Sequence, residues 1–201
     1  MTSAFHYRRL SINLALFALL FASLWSAPGF AQGRDFKDQD LSNRNLAGQN
    51  LAGANFSGAN LQWADLRNAN LRGANFAEAD LRMATLMHVD ATGADFRNAI
   101  VALGFGADYA NFSNANLEKV DFKGAKFYKV NFTNANLRGT TGWGTCSECI
   151  FRGTDLRGAN LVAAEPGGPS GSKVFAGAVY DETTVWPQWV DVAASGARHA
   201  Q

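Results

Sequence analysis

Small, polar and large apolar residues alternate along the chain with a period of five, from Asp35 to Leu161. Each unit has Ala, then Asn or Asp, then Leu or Phe, then two residues typical of turns, as in Ala54-Asn55-Phe56-Ser57-Gly58. Residues two apart in an extended backbone point to the same side, so the Ala and the Leu or Phe face inward and the polar residue faces outward. The fifth residue is often Gly or Asn, which tolerate the positive φ of a tight turn. Each unit is therefore predicted to be a short strand followed by a corner.

The large inward position shows how many corners close one coil. It is Phe at Phe36, Phe56, Phe76 and Phe96, and Leu, Val or Ala at the units between them. Twenty residues separate successive Phe, so four units complete one turn and the rings stack in one column of the structural core. A three-sided coil would scatter them. The pattern predicts an all-β fold, a parallel β-helix with four sides and about six to seven coils at the usual strand spacing of about 4.8 Å.

The stretch from Asp65 to Phe76 (DLRNANLRGANF) resembles the A(D/N)LXX pattern of the pentapeptide repeat family. The resemblance covers about two-thirds of the chain. It implies a right-handed quadrilateral β-helix. It implies little about function, because most members of the family have none assigned.

Residues 1–31 have the pattern of a secretory signal peptide. Arg8 and Arg9 precede an unbroken apolar run, and small residues lead to a predicted cleavage site near Ala31. An uncleaved membrane anchor is the alternative, since the apolar run extends to Trp25. We therefore predict a periplasmic or secreted protein, with no stable membrane insertion after cleavage.

The chain after the signal peptide divides into four segments. The repeat predicts a β-helix over residues 32–163, and a stretch rich in Gly, Pro and Ser predicts a linker at 164–173. Residues 174–190 are predicted to fold back as a C-terminal cap, and 191–201 to form a disordered tail.

Cys146 and Cys149 are the only cysteines. In an exported chain, a pair three residues apart favours a local disulfide, with a redox-active pair and a metal-binding pair as alternatives. Zinc needs further ligands, and the nearest candidate, His88, lies three coils away. Haem attachment needs a His where the chain has Ile150. We expect no metal and no cofactor.

Composition argues against catalysis and against nucleic-acid binding. The formal net charge is +1 for the full chain and close to zero without residues 1–31, so the basic face that nucleic acid requires is missing. The outward Asp and Asn residues are evenly spaced surface groups and not paired acids and bases. His88 alone cannot form a catalytic triad. We predict a protein without enzymatic activity and without catalytic residues.

An apolar stripe interrupts the otherwise polar corners. Three successive coils carry Trp63, Met83 and Leu103 at one corner. The candidate interaction patch comprises Trp63, Met83, Ile100, Leu103, Phe105 and Tyr109. Exposed contiguous apolar surface marks an interface, and Trp is a common anchor. The occupant is predicted to be a protein partner, a second copy of the chain included, and coverage by the C-terminal segment is the alternative.

These features predict an exported, non-enzymatic interaction or structural module of the periplasm, with a partner that the sequence does not name. Two alternatives come from other classes of function. Some members of the family protect DNA gyrase by imitating DNA, which requires the cytosol and an acidic surface. A redox-sensing module acting through Cys146 and Cys149 is the second alternative.

Overall fold

The computed structural model describes residues 33–102, 104–162 and 174–201. The predicted signal peptide (1–31), Leu103 and the predicted linker (164–173) lie outside the described residues. Strands, bridges and turns make up the described ranges. Among the described residues, no helix combines the length and the hydrophobicity needed to cross a membrane.

Regular strands in this fold are very short. They are β1 (Phe127–Tyr128), β2 (Cys146–Ser147), β3 (Val179–Tyr180) and β4 (Arg198–His199). β1 pairs with β2 and β3 with β4, both in parallel. Elsewhere the coils are joined by isolated parallel bridges, such as Asp35 with Asn55 and Asn55 with Asn75. Each regular unit contributes one bridging residue, because the next two residues already turn the corner.

The bridges form four columns, which we number as sides 1 to 4 in chain order. The columns begin at Asp35, Asp40, Asn45 and Asn50, and the first partner in each column follows twenty residues later. Side 1 extends from Asp35 to Arg198. The predicted four-sided parallel β-helix is therefore confirmed.

The interior of the helix is a set of stacked columns. Phe36, Phe56, Phe76 and Phe96 stack with ring centroids 4.7–4.8 Å apart and planes within 11° of parallel. This distance matches the spacing of adjacent strands, since each ring is one coil from the next. The Ala residues of the same units are also buried, which leaves room beside each large side chain.

The first break in the repeat inserts one residue between sides 2 and 3. Asp80 and Thr85 are five residues apart, but their bridge partners Ile100 and Gly106 are six apart. In this unit Phe105 takes the small inward position and Ala107 the large one, and both are buried. Phe105 is thus a core residue, and its prediction as part of an exposed patch is wrong. The side chains inside this coil fill a volume similar to that in the regular coils, because the large and the small side chain have exchanged positions.

In the second break the unit is one residue shorter than the repeat, and the missing residue again belongs to the corner between sides 2 and 3. Trp143 fills the interior there, fully buried, and its indole N–H donates to Thr140 Oγ1 at 3.2 Å. The preceding Gly142 has φ +68°, and a Cβ at this position would meet the Asp121 carboxylate and, at 2.7 Å, the backbone nitrogen of Lys123. The tight corner therefore requires glycine.

Residues 174–201 continue the ladder at the C-terminal end. Val174 O accepts a hydrogen bond from Phe151 N at 3.1 Å, and Val185 N donates to Ala159 O at 2.9 Å. The predicted capping segment (174–190) thus stacks as a further part of the coil. Beyond it, β4 pairs with β3, and Ala200 N donates to Tyr180 O at 2.7 Å. The prediction of a disordered tail at 191–201 is wrong, because these residues hydrogen-bond to the strand edge that β3 exposes.

Candidate interaction surface

The second corner residue of each unit has a positive φ, and most corners carry Gly, Asn or a long polar residue there. Trp63 and Met83 are different: both are bulky and apolar and both have φ 62°. They lie one above the other between sides 2 and 3, because Trp63 N donates to Arg82 O of the next coil at 3.1 Å. Trp63 is 58% exposed, whereas Met83 is half-buried over Gly104. We call these two residues the apolar corner.

The other residues of the predicted patch lie elsewhere. Ile100 is 47% exposed and stands on side 2, where it bridges to Asp80. Tyr109 lies at the corner between sides 3 and 4, stacked on His88 at 4.7 Å. The structure therefore brings Trp63 and Met83 together, places Ile100 on the adjoining side and assigns Tyr109 to another corner. Leu103 lies outside the described residues.

The predicted alternative is that the C-terminal segment, which contains Trp186, covers the apolar corner. The ring of Trp186 instead packs edge-to-face against Phe175 at 5.1 Å and Tyr180 at 5.5 Å, in the C-terminal coils. The exposure of Trp63 shows that the described C-terminal residues leave the apolar corner open to solvent.

A second cluster, which the repeat pattern does not predict, lies at the corner between sides 3 and 4. His88 stacks on Tyr109, and Tyr109 meets the edge of Tyr128 at 5.2 Å. Tyr128 Oη donates to Glu148 Oε1 at 3.1 Å, and Lys129 Nζ lies 3.5 Å from Glu148 Oε2. The hydrogen bond with Tyr128 and the charge of Glu148 raise the pKa of Lys129. We call this cluster the aromatic corner; within it Glu148 pairs with both Tyr128 and Lys129.

Cys146 and Cys149 form a disulfide next to the aromatic corner. Their Cα atoms are 5.7 Å apart, and the bond links the end of one side to the beginning of the next. Cys149 is buried and Cys146 partly exposed. No group of His, Cys, Asp and Glu within the described ranges is arranged to hold a metal ion.

Several acidic residues of the outward position form ion pairs with arginine. Where Asp is followed two residues later by Arg, Nε and Nη2 both donate to the carboxylate. These pairs are Asp65 with Arg67, Asp80 with Arg82, Asp95 with Arg97 and Asp155 with Arg157. The hydrogen bonds from Arg67 lower the pKa of Asp65, against the partial burial that raises it. Such carboxylates are fixed in ion pairs and are not positioned to exchange protons with a substrate.

Comparisons with known proteins agree with this architecture. The family model described as pentapeptide repeats matches in eight copies, over residues 35–73, 64–101 and 108–141, which together span half of the chain. No curated protein gives a significant match.

Among solved structures, the chain is similar to a pentapeptide repeat protein from the thylakoid lumen of Arabidopsis thaliana. The two are 37% identical over 51% of this chain and 67% of the other, with a TM-score of 0.34. HetL, a pentapeptide repeat protein involved in heterocyst differentiation regulation in the cyanobacterium Nostoc, is 22% identical over 80% of this chain and 92% of its own, with a TM-score of 0.37. QnrB1, a plasmid-mediated fluoroquinolone resistance protein, is 17% identical over 86% and 92%, with a TM-score of 0.32.

Proposed function

Because the chain belongs to the pentapeptide repeat family, whose members generally serve as structural or interaction modules, we propose that it is a non-enzymatic module that docks a protein partner at the apolar corner. The fold supplies a rigid support for such a contact, since every coil is hydrogen-bonded to the next. A surface of this kind binds through shape and apolar anchors and needs no reactive group.

The observation that carries the proposal is the pairing of exposure with backbone strain at Trp63. An L-residue in the left-handed conformation costs roughly 1–2 kcal/mol, and Gly or Asn lowers that cost. Trp63 and Met83 accept it in consecutive coils, and Trp63 also leaves most of its ring in water. Strain retained at an exposed apolar site supports a role in binding.

Export to the periplasm is a second part of the proposal. The pattern of residues 1–31 supports it, and so does the disulfide between Cys146 and Cys149, since such bonds persist mainly in oxidising compartments. Fractionation of cells that express the full chain, with intact-mass measurement of the purified protein, tests it. We expect a periplasmic product cleaved near Ala31 with the disulfide formed; a full-length product in the cytosol contradicts export.

The DNA-mimic alternative has no comparable support from the described surface. A DNA mimic needs rows of free carboxylates, whereas Asp65, Asp80, Asp95 and Asp155 are each held by an arginine. The redox alternative likewise has no observation of its own beyond the disulfide.

A photo-crosslinking amino acid at position 63 tests the docking surface in cells that express the full chain. Position 78 is the matched control, because Glu78 occupies the equivalent place at the corner between sides 1 and 2, also with φ 62°. We expect one partner crosslinked from position 63, lost with Met83→Asn, and none from position 78. Equal labelling from both positions, or none from position 63, contradicts the proposal.

The same residue gives a companion prediction on stability. Trp63→Asn is expected to leave the free energy of unfolding unchanged, or to raise it by up to about 1–2 kcal/mol, since Asn tolerates this backbone conformation. Urea denaturation measures it. A large loss of stability would show that the Trp63 ring serves the protein's own packing.

A further inference from the structure

The lysines of a single coil divide into two pairs with different surroundings. Lys119 lies 3.9 Å from Glu118, and Lys129 lies 3.5 Å from Glu148. Lys123 and Lys126 are exposed, and neither forms an ion pair with any other residue of the described ranges. Two positive charges of this coil are therefore not neutralised by the chain that the structure describes.

Lys123 departs from a pattern that the chain uses elsewhere. It follows Asp121 by two residues, as Arg82 follows Asp80, and Arg82 folds back to bind its carboxylate. Asp80 and Asp121 both accept the backbone N–H of the residue two positions later, at 3.2 Å, but only Arg82 adds hydrogen bonds from its side chain. The ammonium group thus remains directed to solvent, with no carboxylate of the described residues in contact.

These two lysines lie on the same edge of the helix as the apolar corner. Lys123 is in the corner between sides 2 and 3, the corner of Trp63, and Lys126 bridges to Gly106 on side 3. Three coils separate Trp63 from Lys123, which is about 14 Å at the strand spacing. On side 3, next to Lys126, a Cβ on Gly106 would meet nothing within 4 Å. We call Lys123 and Lys126 the basic corner.

We propose that this edge binds an extended, acidic segment of the partner protein. An apolar side chain of the segment packs on Trp63 and Met83, and Asp or Glu side chains pair with Lys123 and Lys126. An extended chain advances about 3.3 Å per residue, so the two contacts are about four residues apart in the segment. The inference rests on the proposed function and adds the charge, the conformation and the spacing of what is bound.

Charge complementarity is the argument for an acidic occupant. Exposed, unpaired ammonium groups beside an apolar anchor attract anionic side chains, speed association and make binding sensitive to salt. The separation of about 14 Å along the helix axis favours an extended segment, because an extended chain covers it in about four residues.

A random 12-residue peptide library displayed on phage and selected against the full chain tests the proposal. We expect enriched peptides to carry an aromatic or aliphatic residue with Asp or Glu about four positions away. Fluorescence anisotropy of an enriched peptide should then show about tenfold weaker binding to the Lys123→Gln/Lys126→Gln variant, with a smaller salt dependence. Lys119→Gln is the matched control, since its side chain already has an acidic neighbour at another corner, and should change nothing.

Three results would overturn the inference. If peptide binding requires Trp63 but not the two lysines, the occupant is not an acidic segment, whereas the proposed function is unaffected. Lysine-dependent binding to vesicles with anionic phospholipid, without any enriched peptide, would assign the edge to a lipid surface. Self-association that the double lysine variant abolishes in sedimentation would assign it to a second copy.

Discussion

At the scale of single residues, the second corner position determines what each unit presents to solvent. Its backbone has a positive φ, so Gly and Asn are the least costly residues there. Bulky side chains at this position are confined to particular corners: Trp63 and Met83 at one, His88 and Tyr109 at another. At the corner between sides 3 and 4 the rings of His88 and Tyr109 stack on each other, so contacts within the protein explain their presence there. The ring of Trp63 is instead exposed to solvent, and this exposure indicates a binding partner.

Asp181 shows how one carboxylate joins the C-terminal coils. It accepts hydrogen bonds from Thr183 Oγ1 at 2.7 Å, from Thr183 N at 3.1 Å and from Gly158 N at 3.1 Å. The hydrogen bond from the Thr183 side chain is the largest cause that lowers the pKa of Asp181 from 3.8 to about 2. Because the pKa is lower in the folded protein, the stabilisation is fully present above pH about 4 and is lost as the pH falls towards 2.

We therefore predict that Asp181→Asn is less stable than the unmodified chain at pH 7 and that the difference narrows between pH 4 and pH 2. Urea midpoints measured across this range check the prediction. Glu182→Gln is the control at the adjacent, exposed position and should show a smaller difference. A difference for Asp181→Asn that does not vary with pH would show that the ionised carboxylate is not what stabilises the coil.

At the scale of the coil, burial differs along the Phe column. Phe76 is fully buried between the rings of Phe56 and Phe96, whereas Phe36, in the first described coil, is 9% exposed. Phe76→Ala leaves a cavity that the rigid backbone cannot close, so we expect it to cost about 3–5 kcal/mol of unfolding free energy. Phe36→Ala should cost clearly less. Equal costs by urea denaturation would mean that the partial exposure of Phe36 does not reduce what its ring contributes to stability.

The regular coils could be predicted from the sequence because each unit carries its own signal of inward and outward positions. The breaks could be located by counting, but counting does not decide which residue of an irregular unit faces inward. Phe105 is the example: the exchange with Ala107 depends on the space inside the coil. Trp143 fills the shortened corner for the same reason, and its burial is not encoded in the spacing.

The candidate surface was predictable only on the N-terminal side of the first break. Trp63 and Met83 are twenty residues apart and fall in one column by counting. His88 and Tyr109 are 21 apart because of the inserted residue, and Tyr128 follows Tyr109 by 19 because it occupies the first corner position and Tyr109 the second. A period of twenty therefore does not reveal the aromatic corner, and the inserted residue explains the wrong placement of Tyr109.

At the scale of the whole molecule, the C-terminal residues show what a repeat protein requires at its end. In a stack of coils, stability comes from each coil and its contacts with neighbours, so an uncovered last coil is the weakest. Residues 191–201 have the small and polar composition that suggested disorder, and no repeat marks them. Their backbone nevertheless pairs with β3, because hydrogen bonds to an open edge depend little on side chains.

This pairing predicts that one backbone N–H in the tail supports the coil before it. Arg198 N donates to Ala178 O at 2.7 Å, and proline at position 198 has no N–H to donate. We expect Arg198→Pro to increase hydrogen exchange at the backbone amides of Gly177 and Ala200, which donate across the same pairing, and to lower the unfolding free energy of the full chain. Arg198→Ala keeps the backbone donor and should behave like the unmodified protein. Equal effects of the two substitutions would show that the arginine side chain, and not the strand pairing, secures the end of the helix.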